Sequence, residues 1–446
     1  MKNGFSCSRA VTAYLTRMAP AGQWMSRLAT RCIPSVIFLL AGCGTLSQTS
    51  APVGDRVYLT HATFHENVDD IVQHYMQQKQ VPGISIAVIH RGGPTRYYPF
   101  GVTDRVHRYP ITPDTLFALG SLSKGVTAEV IIQLVEQGKL HWSDTLADLL
   151  PGGVRLSADA RRITLLQLVT HTSGLPRQDM DLPMLLQFVR YLDTGENFYG
   201  NLDSDRLLSY LADFSVPAVR MPHYSNLGYA LLGYIVRTRF HQDIQTLASQ
   251  LIFTPLKMEQ SSFEPETLKG YPLRALGHAG DQPKFIRRGT LTPDWHFHGN
   301  MVAAASLYSN ARDLSAYLRA HLDATGDTPR DRAFTAVNRA WYQQGTQAQN
   351  IAWVTDTIEG QQITYQVGYI GGYASFIGYD KRHGNAIVVL QNGFNWSNYL
   401  GIALLVDLAT QDKVVRSVTW PVCSKVNSAF FPAHSSSTTE LKCGKL

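Results

Sequence analysis

Short apolar runs bounded by turn residues fall near both ends of the chain, and longer helical patterns fill the middle. Gly83-Ile-Ser-Ile-Ala-Val-Ile-His90 and Thr95–Gly101 flank Arg91-Gly-Gly-Pro94, the pattern of a hairpin. Helical patterns follow in the run after Ser121, at Leu165–Val169, Asp205–Ala212, Tyr224–Phe240 and Asp243–Leu251. Strand patterns return at Ile351–Thr355, Gln362–Val367, Tyr373–Tyr379 and Asn385–Gln391. Asn398–Thr410 then predicts a closing helix, with Ser397 placed to cap it. Strands at both ends with helices between predict an α+β fold: an antiparallel sheet built from both chain ends, flanked by helices, with a helical region inserted.

The first 42 residues have a different pattern. Arg27 and Arg31 precede Ile33-Pro-Ser-Val-Ile-Phe-Leu-Leu-Ala-Gly42, an apolar run of ten residues. That is too short to span a bilayer as a helix and suits the core of a signal peptide. The run ends in Leu40-Ala-Gly-Cys43, which resembles the bacterial lipobox and implies lipidation of Cys43. Gly44 in the next position favours the outer membrane over the inner one by the same resemblance. Residues 1–42 are therefore expected to be a signal peptide, 43–60 a tether, 61–411 the folded domain and 412–446 a C-terminal tail. The formal charge of +6 shrinks once the leader is set aside, because five of the 40 basic side chains lie in it and none of the 34 acidic ones. A net of +1 gives no electrostatic case for nucleic acid. Cys423 and Cys443 remain as an even pair, which an oxidising compartment would permit to form a disulfide.

The chemistry is concentrated in Phe117-Ala-Leu-Gly-Ser-Leu-Ser-Lys124. Ser121 and Lys124 stand three residues apart at the start of a helical pattern, so both lie on one face, a turn apart. A neutral lysine amine there takes the proton of a serine hydroxyl as the oxygen attacks a carbonyl. Burial and the positive end of the helix dipole both disfavour the ammonium. His296 and His298 alternate in Asp294–Gly299 and have no acid at ligand spacing, so solvated loop histidines are expected rather than a metal site. Neither a metal nor an organic cofactor is required.

The neighbouring segments widen the picture. Gln133-Leu-Val-Glu-Gln-Gly-Lys-Leu140, Asp144-Thr-Leu-Ala-Asp-Leu-Leu-Pro151 and Ile163-Thr-Leu-Leu-Gln-Leu-Val-Thr-His-Thr-Ser-Gly-Leu-Pro176 follow in order. With Ser121–Lys124 they resemble the penicillin-binding protein and class C β-lactamase-type serine hydrolases over roughly residues 65–410. The resemblance implies that Ser121 is the nucleophile, Lys124 its base and a Tyr-x-Asn tyrosine the proton shuttle. Three such motifs occur, at Tyr199, Tyr224 and Tyr308. Only Tyr224-Ser-Asn226 lies about a hundred residues after the serine and opens a helix, so Tyr224 is expected in the site. Asn226 would then bond Lys124 or a substrate carbonyl, and Tyr308 would be structural. His171 is expected to cap a turn near the site.

The third family motif departs from the pattern. Tyr365-Gln-Val-Gly-Tyr-Ile-Gly-Gly-Tyr373 keeps its glycines, but Gln366 and Val367 replace the cationic and hydroxyl side chains that grip a substrate carboxylate. Gln366, Gly368 and Tyr369 are expected to line the substrate, with the backbone N–H groups of Ser121 and Tyr369 stabilising the oxyanion. The expected function is a lipid-anchored serine hydrolase of the cell envelope acting on a small-molecule or peptide substrate. Esterase or amidase activity ranks ahead of D-amino-acid peptidase, and that ahead of β-lactamase. A catalytically weak peptidoglycan- or peptide-binding protein on the same fold is the rival.

Overall fold

β1 (Gly83–Ile89) and β2 (Arg96–Gly101) pair as the hairpin the sequence predicts. Arg91 and Gly92 both have positive φ, 50° and 67°, and Gly93 N–H donates to the His90 carbonyl at 2.8 Å. A tight turn with two such residues matches the twist of the strands it joins. The structure, a computed structural model, describes residues 64–410 apart from 179–180, 200–202, 218–220 and 397–398. The expected leader, Cys43, the tether, Ser397 and the tail with Cys423 and Cys443 lie outside the described residues.

The other edge of β1 pairs with β10 (Asn385–Gln391), Ile84 opposite Gln391 and Ile89 opposite Ala386, so an early strand is closed by the last one. β9 (Tyr373–Asp380), β8 (Gln361–Ile370), β7 (Val354–Ile358), β6 (Gln347–Gln349) and β5 (Tyr342–Gln344) continue the antiparallel sheet in the order β2-β1-β10-β9-β8-β7-β6-β5. Every residue of β1, β9 and β10 is buried, as in strands covered on both faces. The α+β expectation is borne out: one sheet drawn from both ends of the fold, with the helical region between.

Among the longer helices, α1 (Phe64–Lys79) packs on α8 (Tyr399–Thr410), and α8 and α6 (Ala311–Asp323) pack on β9 and β10. The inserted region contributes α2 (Ser123–Glu136), α3 (Leu182–Thr194), α4 (Ser204–Ala212) and α5 (Asn226–Phe240), followed by α7 (Pro329–Ala336). All residues of α2 from Ser123 to Leu134 are buried, so this helix runs through the core. Glu129 of α2 and His321 of α6, both fully buried, meet at 2.9 Å among the rings of Tyr317, Trp353 and Tyr379. Among the described residues no helix is long and apolar enough to cross a membrane.

Several expected boundaries move, and two of the changes are the largest. Ile351–Trp353 form a buried turn before the strand, which runs instead over Val354–Ile358, because Trp353 sinks completely into the core. The helix expected over Asp243–Leu251 is α-helical only at Ile244–Ala248 and widens into a π turn at Ser249–Phe253.

Candidate active site

Ser121 sits in the tight helical turn Gly120–Leu122 that leads into α2. Ser123 locks this turn from below. Its Oγ donates to the Gly120 carbonyl at 2.6 Å and accepts the Leu307 N–H at 3.0 Å, and the side chain is fully buried. β3 (Phe117–Ala118) and β4 (Tyr308–Ser309) pair just ahead of it and hold the turn against the short helix Val302–Ala305. Tyr308 is thus structural, and Asn310 caps α6 by accepting the Asp313 N–H.

Lys124 Nζ reaches Ser121 Oγ at 3.2 Å and donates to the Ala304 carbonyl at 2.8 Å. It lies 4.9 Å from the Tyr224 ring centre and 5.8 Å from that of Tyr229. Burial, followed by the nearby Arg177 charge, holds the amine well below the usual lysine range. On the other side of Ser121, the Tyr224 hydroxyl donates to Ser121 Oγ at 2.5 Å. Burial pushes this phenol up to about 12, although the Arg177 charge and the bond to Ser121 act against the rise. The arrangement is therefore a hydroxyl between an amine whose charged form burial disfavours and a phenol held in its protonated form. One neighbour can accept its proton and the other can donate one.

The placement of Tyr224 follows from how the segment 171–178 is stitched to the start of α5. His171 Nδ1 accepts the Ser225 N–H at 3.1 Å, and its carbonyl accepts the His223 N–H at 2.7 Å. Ser225 Oγ donates to the Pro176 carbonyl and accepts the Gly228 N–H, capping α5, while Asn226 N–H donates to the Arg177 carbonyl. The His171 ring packs 4.6 Å from that of Tyr224, and burial keeps the imidazole neutral by lowering its pKa to about 3. His171 holds a turn in place, the expected arrangement.

Of the two partners expected for Asn226, Lys124 or a substrate carbonyl, Lys124 is not the one it bonds. Its Nδ2 donates to the Tyr199 hydroxyl at 3.0 Å, and Tyr199 donates to Gln178 Oε1 at 2.7 Å. Lys124 bonds Ser121 and Ala304 instead. Tyr199, whose own Tyr-x-Asn motif lacks the family context, thereby enters the site through its hydroxyl, and Gln178 and Arg177 come with it. Arg177 Cζ lies 5.0 Å from the Tyr224 ring centre. Sequence spacing carries no signal for these three residues, because only the folded segment brings them to Tyr224.

β8 forms the facing wall. A side chain at Gly368 would collide with the Leu119 carbonyl, so glycine is what lets β8 approach the turn that carries Ser121. Tyr369 turns its ring against Trp396, 4.9 Å away, and leaves its backbone beside Gly120. Gln366 is buried, and its carboxamide fills the space over Gly125 of α2, with no hydrogen-bond partner for either polar atom among the described residues. His296 and His298 are exposed while Trp295 and Phe297 between them point inward, and His296 pairs with exposed Glu266 at 2.9 Å.

A serine, a buried amine and a phenol beside a glycine-bearing strand, on a sheet with this topology, define a serine hydrolase of the β-lactamase-related kind. The chain matches the Beta-lactamase family over residues 68–411 and belongs to that family. It is 25% identical to a β-lactamase of Pseudomonas fluorescens over 363 residues, covering 73% of this chain and 92% of that protein. It is 29% identical to penicillin-binding protein 4 of Amycolatopsis lactamdurans over 293 residues, covering 64% of this chain and 70% of that protein. The fold is similar to that of a class C β-lactamase from Rhodobacter sphaeroides, with a TM-score of 0.65 at 23% identity, covering 77% of this chain and 99% of that one.

Proposed function

We propose that the protein hydrolyses esters or amides through an acyl-enzyme on Ser121. The observation that carries this reading is the buried Lys124 amine, 3.2 Å from Ser121 Oγ and with its charged form disfavoured by burial. Lys124 takes the hydroxyl proton as Ser121 Oγ attacks the substrate carbonyl, and the N–H groups of Ser121 and Tyr369 receive the oxyanion. Tyr224, protonated in the resting site, gives its proton to the leaving group and is recharged from Lys124. A water molecule then repeats the attack and frees Ser121. Gln366 and Val367 offer no cation on β8, which supports the order ester or amide, then D-amino-acid peptide, then β-lactam. A fluorophosphonate probe should add its mass to the wild type, partly to Ser123→Ala and not to Ser121→Ala. Undiminished labelling of Ser121→Ala would end the proposal, and an unlabelled wild type would favour a binding protein.

The cell-envelope setting rests on Arg27–Cys43. Lipid on Cys43 would tether the domain to a membrane, on the periplasmic side of the outer one. Cys43→Ala should then move the full-length protein from the detergent phase to the aqueous phase. A wild type that is already aqueous and carries no lipid mass would refute it.

A further inference from the structure

A helix on the surface of a globular domain normally turns a polar face to water, and α3 does not. Met184, Phe188 and Tyr191 point into the core. The opposite stripe is Leu182, Leu186 and Val189, spaced i, i+4 and i+7 and between 45% and 66% exposed. The C-terminal end of α3 has a neighbour of the same character. Phe285 N–H donates to the Leu192 carbonyl at 2.9 Å, and the side chains of Phe285 and Leu291 are exposed. Lys284 and Arg287, also exposed, flank that phenylalanine in sequence. Segments 182–194 and 284–291 together hold four cations and one acid, Asp193. Arg190 pairs with Glu196 and Arg288 with Asp281, which leaves Lys284 and Arg287 with no ion pair among the described residues.

We infer that α3 and the 284–291 loop form the surface by which the domain lies on an anionic lipid bilayer. The apolar side chains enter the interface, and Lys284 and Arg287 meet headgroup phosphates. Leucines and a phenylalanine beside cations suit that boundary, because the apolar parts leave water while the charged heads stay in it. A protein partner fits less well, since the buried centres of protein interfaces are poor in lysine. The chain ahead of the domain points to the same occupant. Cys43 lies 21 residues before Phe64, a stretch that can span at most about 75 Å. That exceeds the radius of gyration of about 20 Å for a domain of this size, so lipid on Cys43 would keep a bilayer within reach of any face. In this the inference rests on the proposed lipid. Docking through α3 would also bring the active site to the membrane. Tyr191 packs on Phe198 and Trp295, and Phe198 packs on Tyr199, the partner of Asn226.

The test maps lipid contact in the full-length protein. Vesicles of equimolar phosphatidylglycerol and phosphatidylethanolamine carry a phospholipid with a diazirine in its acyl chain. After irradiation, lipid adducts are located by mass spectrometry. They should form on residues 182–190 and 284–291 and not at Val106 or Leu273, which are as exposed and as apolar. Leu186→Ser with Phe285→Ser should abolish the adducts, with the urea midpoint unchanged because both side chains are exposed. Lys284→Gln with Arg287→Gln should lower their yield about threefold or more. Adducts spread evenly over the exposed apolar side chains, or confined to residues before 64, overturn the inference. In lipid-free samples, chemical cross-links from α3 to residues 411–446 or to a second copy would put protein on this face and overturn it as well. Intact mass reports the lipid on Cys43 separately. Adducts on α3 without that lipid keep the docking surface and end the anchor, and lipid without adducts does the reverse.

Discussion

Lys124 has to be neutral to serve as a base, and the site is built so that protonating it is costly. Between its lowered pKa and the ordinary lysine value the unfolded chain binds a proton that the folded chain does not. The contribution of this group to stability therefore rises with pH across that window, whereas activity rises at its lower edge, as pH passes through the folded-state pKa and the amine deprotonates. Lys124→Arg keeps a charge that cannot be shed and should lower kcat/KM for an ester by about a hundredfold or more. An active Lys124→Arg enzyme would remove Lys124 from the role of base. His171 obeys the same sign lower on the scale. Its folded pKa of about 3 lies below the 6.5 of the unfolded imidazole, so stability drops as pH falls through that interval. The slope from one such proton is about 1.4 kcal/mol per pH unit. His171→Asn still accepts the Ser225 N–H and tolerates the φ of 58°. Urea unfolding of that variant at a series of pH values between 4 and 6.5 should show a flatter dependence than the wild type. Tyr224→Phe tests the shuttle by leaving group. A nitrophenolate departs without a proton, so 4-nitrophenyl esters should lose less rate than alkyl esters, and equal losses would show that Tyr224 gives no proton.

At the level of elements, what was legible follows from how each one is buried. β1, β9 and β10 are wholly inside, so they stand out in the sequence as apolar runs. β5 and β6, Tyr342–Gln344 and Gln347–Gln349, are mostly polar segments at the sheet edge and leave no such trace. α3 hides for another reason. Its inner face carries Met184, Phe188, Tyr191 and Leu192, while Leu182, Leu186 and Val189 are exposed on the other, so no polar side marks it. The Asp181 cap and Pro183 were the only start signal. In the site, Ser121 and Lys124 were legible because helical geometry couples residues three apart. Tyr224 followed from its place at the head of α5. Tyr199, Gln178 and Arg177 were not, since their positions depend on hydrogen bonds made between distant segments. Those bonds carry a prediction. Ser225→Ala removes the hydroxyl that joins Pro176 to Gly228, and loss of such a cap typically costs about 1 kcal/mol. The urea midpoint should fall accordingly. The ester rate should fall too, because Tyr224 precedes that residue. A variant with wild-type stability and rate would show that the stitching is dispensable.

For the whole molecule, the proposed order of substrates rests on the two walls of the cleft. The sheet wall brings the backbone of Gly368 and Tyr369 to the serine, and the helical wall carries Tyr224 and Arg177 beside Lys124. Penicillin and D-Ala-D-Ala peptides rely on a cation at the β8 edge, and losing a charge-assisted bond costs about 1.5–3 kcal/mol, or roughly ten- to a hundredfold in rate. Short-chain esters should therefore turn over faster than either. Replacing Gln366-Val367 by Lys-Thr should raise the rate on the carboxylate-bearing pair. Efficient penicillin hydrolysis by the unmodified protein would overturn the ranking.

The Gly125–Gln366 contact bears on how such a protein changes over generations. A methyl group at 125 would push the flexible end of Gln366 out of its niche, and the displaced carboxamide gives up no hydrogen bond in leaving. A mutation inside a buried helix can thus redraw the chemical surface of β8. The first step of a lineage towards new substrates need not fall in the cleft, and later substitutions at 366 would be judged by selection according to what already stands at 125.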